Sequence, residues 1–168
     1  NGQICGENQS SRNSGVVHAG IYYDKMVSPL KAELCVQGNK MLYQFGEQHG
    51  IAIQKTGKLL VAVDSLEEEY LEEVERVAAE NNVPEVRALT IEEAQEFEPN
   101  IFGYSALYVP TSGIVDPTSL VSKLHTLSAK QGTIFQLGTK VVKITSKSSS
   151  LEITTLTEGY GVTSFESE

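Results

Sequence analysis

Cysteine is scarce, basic residues are outnumbered and long apolar runs are missing, and each shortage narrows what the chain can be. The two cysteines, Cys5 and Cys35, form neither a Cys-x-x-Cys pair nor a Cys/His cluster. No structural zinc site is therefore expected, and two free thiols in a reducing compartment are expected in place of a disulfide. Lysine and arginine number 13 against 22 aspartates and glutamates, a net charge of −9. That balance argues against a general nucleic-acid or anionic-membrane binder, while leaving room for a local anion site. No apolar run approaches the roughly 18 residues a membrane span needs, and no signal peptide is visible. A cytoplasmic setting is the expectation that follows.

What is present is the make-up of a globular protein, with 168 residues of which 40% are apolar and 21% charged. This suffices for one ordinary domain or a large piece of a bigger one. The chain opens on Asn1 where a start codon would give Met, and a piece excised from a longer protein is expected. The most informative stretch is Ser10-Ser11-Arg12-Asn13-Ser14-Gly15-Val16-Val17-His18-Ala19-Gly20-Ile21-Tyr22-Tyr23. It has little helical or strand periodicity. Its glycines let the backbone approach a ligand closely, and its polar neighbours supply donors.

Around that stretch the local signals alternate. Residues 1–27 read as loop and short extended segments. Ser28-Pro29 starts a helix with Leu30, Leu34, Cys35, Met41, Leu42 and Phe45 on its expected buried face, stopped at His49-Gly50. Gly38, inside it, either costs stability or permits close packing. Ile51–Ile53 and Lys58–Val63 read as strands. Ser65-Leu66-Glu67-Glu68 and Thr90-Ile91-Glu92-Glu93 read as capping boxes that open helices. Tyr70, Leu71, Val74, Val77 and Ala78 are the inward face of the first of these, and its acidic outer face is solvated. Strands are expected at Val86–Leu89, Tyr104–Val109, Thr133–Leu137, Lys140–Thr145 and Leu151–Leu156, with a strand beginning at Phe165–Glu168. Asp116-Pro117 starts a further helix that buries Leu120, Val121, Leu124 and Leu127 and ends by Gly132. The fold class is α+β, a mixed sheet packed with helices.

At this point the residues resemble a family. Ser10 to Tyr23 is similar to the loop after the second strand in the D-amino-acid-oxidase-like flavoproteins. His18-Ala19-Gly20-Ile21-Tyr22-Tyr23, Leu30-Lys31-Ala32, Cys35-Val36-Gln37-Gly38, Gly57-Lys58-Leu59, Glu98-Pro99 and Thr111-Ser112-Gly113-Ile114-Val115-Asp116 resemble its L-2-hydroxyglutarate dehydrogenase/oxidase branch. The family's GxGxxG turn occurs nowhere in the chain. Pyrophosphate binding relies on such a turn and the helix N-terminus behind it. The resemblance thus implies FAD as cofactor of a longer parent, with weak or no FAD binding and no activity in this piece alone. It divides the chain into a flavin-site loop region (1–27), a substrate domain (28–115), and a helix with strands returning to an incomplete FAD domain (116–168). Strands cut from their neighbours would leave open edges near Val141 and Leu151, so self-association is expected. For the parent, a peripheral-membrane or mitochondrial setting stays open.

The same resemblance assigns roles. A 2-hydroxy acid such as L-2-hydroxyglutarate would pass a hydride to the flavin and its hydroxyl proton to a base, with an electron acceptor that is not specified. His18 is the candidate base, or else a structural or flavin-contacting histidine. Ser10, Ser11, Arg12, Asn13 and Ser14 contact the cofactor, or form an ordinary polar loop. Val142 matches a position whose backbone meets the adenine. Tyr22 and Tyr23 orient a substrate carboxylate, or pack with their hydroxyls in water. Thr111 and Ser112 face the flavin pocket or form a turn, Asp116 caps a helix, and His49 and His125 are structural or solvent-facing. Lys25, Lys31, Lys55 and Lys58 are the possible cationic partners of an acidic substrate. Competing readings are a glycerol-3-phosphate or amino-acid/amine oxidase branch, and a non-catalytic binding domain.

Overall fold

The computed structural model describes residues 4–167, which fall into two compact units. One runs Ser14–Asp116, and the other joins the residues up to Asn13 to those from Pro117 onward.

The Ser14–Asp116 unit uses one arrangement twice. Strands β1 (Val16–Val17) and β2 (Ile53–Gln54) are joined by helix α1 (Pro29–His49) and both pair antiparallel with β6 (Gly113–Val115), which lies between them. Strands β3 (Leu59–Ala62) and β4 (Arg87–Thr90) are joined by α2 (Ser65–Glu80) and both pair antiparallel with β5 (Ser105–Tyr108). In each case a strand–helix–strand crossover is split by a later strand. This corrects the expected mixed sheet. The flanking strands do run parallel, but the inserted strand keeps them from touching, so every ladder is antiparallel. The core lies between α2 and the β3-β5-β4 sheet, where Leu71, Val74 and Ala78 meet Ala62, Leu107 and Val109 with Ala19 and Ile21.

Helix starts follow local chemistry. Pro29 occupies the first turn of α1, and Gly50 ends it in the left-handed region at φ 64°. Thr90 and Glu93 form the expected reciprocal capping box of α3 (Ile91–Gln95). At α2 the cap is Asp64 and not Ser65: the Asp64 carboxylate accepts from the Glu67 N–H at 2.9 Å, while the Glu67 carboxylate accepts from Val63 N–H at 2.8 Å. Asp outcompetes Ser here because its charge also meets the helix dipole.

The inward face of α1 is the largest departure from the sequence pattern. Leu30, Leu34 and Met41 are 66%, 56% and 65% exposed, whereas the fully buried positions are Ala32 and Gly46. Cys35, Leu42 and Phe45 are half-buried. Close approach selects small residues: a Cβ on Gly46 would collide with Ile53, and one on Gly20 would lie 2.6 Å from Val36 Cγ2. Tyr70 of α2 is likewise exposed, while its other expected core residues are buried.

In the other unit, α4 (Pro117–Lys130) follows a 3-10 turn at Gln9–Ser11. A three-stranded antiparallel sheet is built from β7 (Thr139–Ser146), β8 (Leu151–Thr157) and β9 (Gly161–Ser167). None of Leu120, Val121, Leu124 and Leu127 is fully buried, correcting the expected face of α4. Residues 133–137 form no strand despite their apolar content, because no partner strand adopts them. The last strand begins at Gly161 and not Phe165, since the turn at Glu158–Tyr160 folds it back onto β8. The expected end of that strand, Glu168, lies outside the described residues, as do the first three of the expected N-terminal loop.

Candidate functional site

The segment from His18 to Tyr23 is held from behind by amides. Asn39 of α1 donates through Nδ2 to the His18 carbonyl at 3.0 Å and the Thr111 carbonyl at 2.9 Å, and Tyr43 Oη donates to the same Thr111 oxygen at 3.0 Å. Asn81, the C-cap of α2 and 4% exposed, donates to the Gly20 carbonyl at 2.7 Å and the Tyr23 carbonyl at 2.8 Å. Gly20 supplies the φ of +100° that lets the chain turn there. These contacts fix the backbone while the side chains of His18 and Tyr22 face outward.

On the outward side the structure brings together His18, Tyr22 and Lys58. The Lys58 ammonium donates to Tyr22 Oη at 3.0 Å and lies 4.5 Å from the centre of its ring. The His18 and Tyr22 rings meet edge-on with centroids 6.5 Å apart. Lys58 is anchored by its backbone, which exchanges hydrogen bonds of 3.1 and 2.8 Å with Val109. Of the four lysines named from the sequence, Lys58 is thus the one beside the candidate histidine. Lys31 sits over the Tyr23 ring at 5.1 Å, and Lys25 bonds the Glu80 carbonyl. Partial burial, with the Lys58 charge as the smaller cause, holds the His18 imidazole below its ordinary pKa of 6.5.

A neutral imidazole beside a fixed ammonium can take a proton while the cation holds an anion. The sign of the coupling follows. Because the folded state disfavours the imidazolium, the unfolded chain binds more protons, so this contribution is present above pH 6.5 and is lost as pH falls toward the folded pKa. By NMR, the His18 ring is expected to titrate below 6.5, and Lys58→Met is expected to move its pKa up but not fully back. An unchanged midpoint in the variant would remove Lys58 from the account.

The remaining site residues lie in other surroundings. Ser14 is exposed at the start of the Ser14–Asp116 unit. Ser10, Ser11, Arg12 and Asn13 belong to the other unit. There Ser11 Oγ donates to the Asn8 carbonyl at 3.1 Å, and Asn13 Nδ2 donates to the carbonyls of Gln9 and Ser10 at 3.1 and 2.9 Å. Ser10 and Ser11 line a cleft of about 340 Å³ with Gly6, Thr118, Ser122 and His125. Val142 sits on the edge strand β7 at a β-bulge, the position skipped between Val141 and Lys143 in the ladder with β8. Its backbone is therefore outside the regular pairing. Thr111 and Ser112 are 7% and 1% exposed. His49 and His125 pack on Phe45 and Phe135 with centroids 4.4 and 4.2 Å apart. Among the described residues both cysteines are free, no group of three His, Cys, Asp or Glu could hold a metal, and no helix is long and apolar enough to cross a membrane.

Asn39, Tyr43 and Asn81 carry no motif that marks them as site residues. The one available signal was Asn39 itself, a poor helix former in mid-helix four residues before a tyrosine.

The sequence pattern of the family described as FAD dependent oxidoreductase (DAO) matches residues 1–166, and the chain belongs to that family. Within it, the chain is 42% identical over 108 residues to the mitochondrial L-2-hydroxyglutarate dehydrogenase of Homo sapiens, an alignment covering 64% of this chain and 23% of that protein. It is 40% identical over 119 residues to the L-2-hydroxyglutarate dehydrogenase of Escherichia coli strain K12, covering 69% and 28%. The chain thus spans about a quarter of the length of these relatives. The fold matches that of L-alpha-glycerophosphate oxidase from Mycoplasma pneumoniae with a TM-score of 0.83 at 23% identity, over 95% of this chain and 43% of that one.

Proposed function

We propose that this chain is the substrate-side portion of a longer FAD-dependent oxidoreductase that oxidises a 2-hydroxy acid, with L-2-hydroxyglutarate as the favoured substrate. The observation that carries the reading is the juxtaposition of His18 with the Lys58–Tyr22 pair. Oxidising a 2-hydroxy dicarboxylate needs a base for the hydroxyl proton and a cation for a carboxylate, and these residues supply both. The relatives named L-2-hydroxyglutarate dehydrogenase support the same substrate.

FAD, when bound, supplies the acceptor for the hydride leaving the substrate α-carbon. His18 Nε2 or Nδ1 takes the substrate hydroxyl proton. The Lys58 ammonium and Tyr22 hydroxyl orient a carboxylate, and Tyr23 lines the same segment. When FAD is bound, Ser10, Ser11, Arg12, Asn13 and Ser14 would hold it, and Val142 would offer backbone groups to its adenine. The donor chemistry suits the group: Ser10 and Ser11 share a cleft with the hydroxyl-bearing Thr118 and Ser122, beside Gly6, which packs on Val121 of α4. The dinucleotide-binding turn itself is not in this chain. The isolated chain is accordingly inactive and does not retain flavin.

Anaerobic flavin reduction in the full-length protein tests the reading. Reduction by L-2-hydroxyglutarate is expected; reduction by glycerol 3-phosphate or an amino acid in its place would overturn the substrate. His18→Ala with flavin retained but not reduced would mark the base, and loss of the flavin would mark a cofactor contact. The purified chain is expected to be colourless, and stoichiometric FAD in it would contradict the division proposed here.

A further inference from the structure

We propose that a second cleft, between α1 and the backbone at Ala19, binds a small organic carboxylate with an apolar body. Its volume is about 470 Å³, inside the range of about 300–1,000 Å³ that takes small organic ligands. The chain as a whole carries a net charge of −9, yet this cleft is lined by Lys40 and Lys55 and by no aspartate or glutamate. Lys40 lies on α1 and Lys55 directly follows β2, and both are exposed. Ala19, Val36 and the Tyr43 ring make the apolar part of the lining.

Thr111 is an independent pointer to a ligand. It lines the cleft and is 7% exposed, and its Oγ1 has no hydrogen-bond partner. Its carbonyl is already engaged by Asn39 and Tyr43. A buried hydroxyl without a partner is costly. The Thr111 Oγ1 is itself sealed from solvent, so a carboxylate oxygen in the cleft supplies the missing partner when the side chain turns about χ1 toward it. The cleft would then read an anion at its rim with two ammonium groups and at its base with one hydroxyl. Asn39 also holds the His18 carbonyl at 3.0 Å, so occupancy is transmitted to the backbone of the His18 segment. None of this depends on the flavin reading, because the lining residues belong to the Ser14–Asp116 unit alone.

The test titrates the isotope-labelled chain with hydrocinnamate, and separately with its neutral amide, following backbone amide NMR shifts. Saturable shifts at Ala19, Lys40, Tyr43 and Thr111 are expected, with a dissociation constant of about 1 mM for a ligand this small. Lys40→Gln/Lys55→Gln is expected to weaken hydrocinnamate about tenfold and to leave the amide unchanged. Both lysines are exposed, so the double variant keeps its fold, which far-UV circular dichroism verifies. The proposal is overturned by non-saturable shifts, by shifts that map elsewhere, or by undiminished hydrocinnamate binding in the folded double variant.

Discussion

Gly113→Ala is expected to destabilise the chain by about 3 kcal/mol, while Gly38→Ala stabilises it by about 1 kcal/mol. The two glycines differ in what a methyl group would meet. Gly113 lies in β6, the central strand of the β1-β6-β2 sheet, opposite Val17. A Cβ there would run into the Gln54 carbonyl oxygen and the Tyr43 hydroxyl. Gln54 is backbone and belongs to β2, so relief requires β2 to leave β6 and give up the Ile53–Val115 and Gln54–Ile114 pairings. Displacing Tyr43 also breaks its bond to the Thr111 carbonyl, adding about 1 kcal/mol to the overpacking cost. Gly38 has nothing within 4 Å of its would-be Cβ and an ordinary helical setting, so it costs stability and brings no close packing. Equilibrium urea unfolding, followed by far-UV circular dichroism, measures both. A Gly113→Ala protein within about 1 kcal/mol of the parent would mean that β2 moves freely, contrary to the packing described.

These glycines also show what a sequence conveys and what it withholds. Gly50, Pro29, Pro117 and the Thr90–Glu93 pair act within one helical turn, so their chemistry is readable without knowing the fold. Strands β7 and β8 are readable because each carries several β-branched residues, and β3 and β5 because each is a short, largely apolar run between turn residues. Strand β2 ends one residue beyond the Ile51–Ile53 run that reads as a strand, β1 is two residues long with no period, and β6 follows a Thr-Ser pair that reads as a turn. The extents of these strands are decided by pairing between residues far apart in the chain, such as Val17 with Gly113 and Gln54 with Ile114. The buried face of α1 is rotated from the expected one for a related reason. Apolar periodicity reports which face is greasy, but here the inward face is chosen by how closely Gly46 and Ala32 let neighbours approach. At the site, His18 and Tyr22 were legible as a motif, and Lys58 only as one of four lysines. Asn39 and Asn81 were not legible as site residues, since an amide that bonds distant carbonyls leaves no periodic trace.

Asn81 is where that hidden layer can be tested most sharply. Asn81→Leu is expected to cost about 2–3 kcal/mol. Both Nδ2 bonds, to Gly20 and Tyr23, vanish, and each carbonyl left without a donor costs about 1–3 kcal/mol. The unpartnered Oδ1 is removed at the same time, which offsets part of the loss. Asn81→Asp keeps the shape and reverses the chemistry: a buried carboxylate faces two carbonyl oxygens, with no donor between them. Burial and those oxygens raise its folded pKa above the unfolded value, so the folded state takes up a proton. Stability relative to the parent chain is then lowest at neutral pH and recovers as pH falls through the raised pKa. The His18 contribution has the opposite sign, fading on acidification, so the difference between Asn81→Asp and the parent isolates the carboxylate. The leucine variant should also loosen the segment that carries His18 and Tyr22, which returns the His18 pKa toward 6.5. If Asn81→Leu unfolds at the same urea concentration as the parent with the His18 titration unmoved, the amide is not what holds the site, and the burden passes to Asn39.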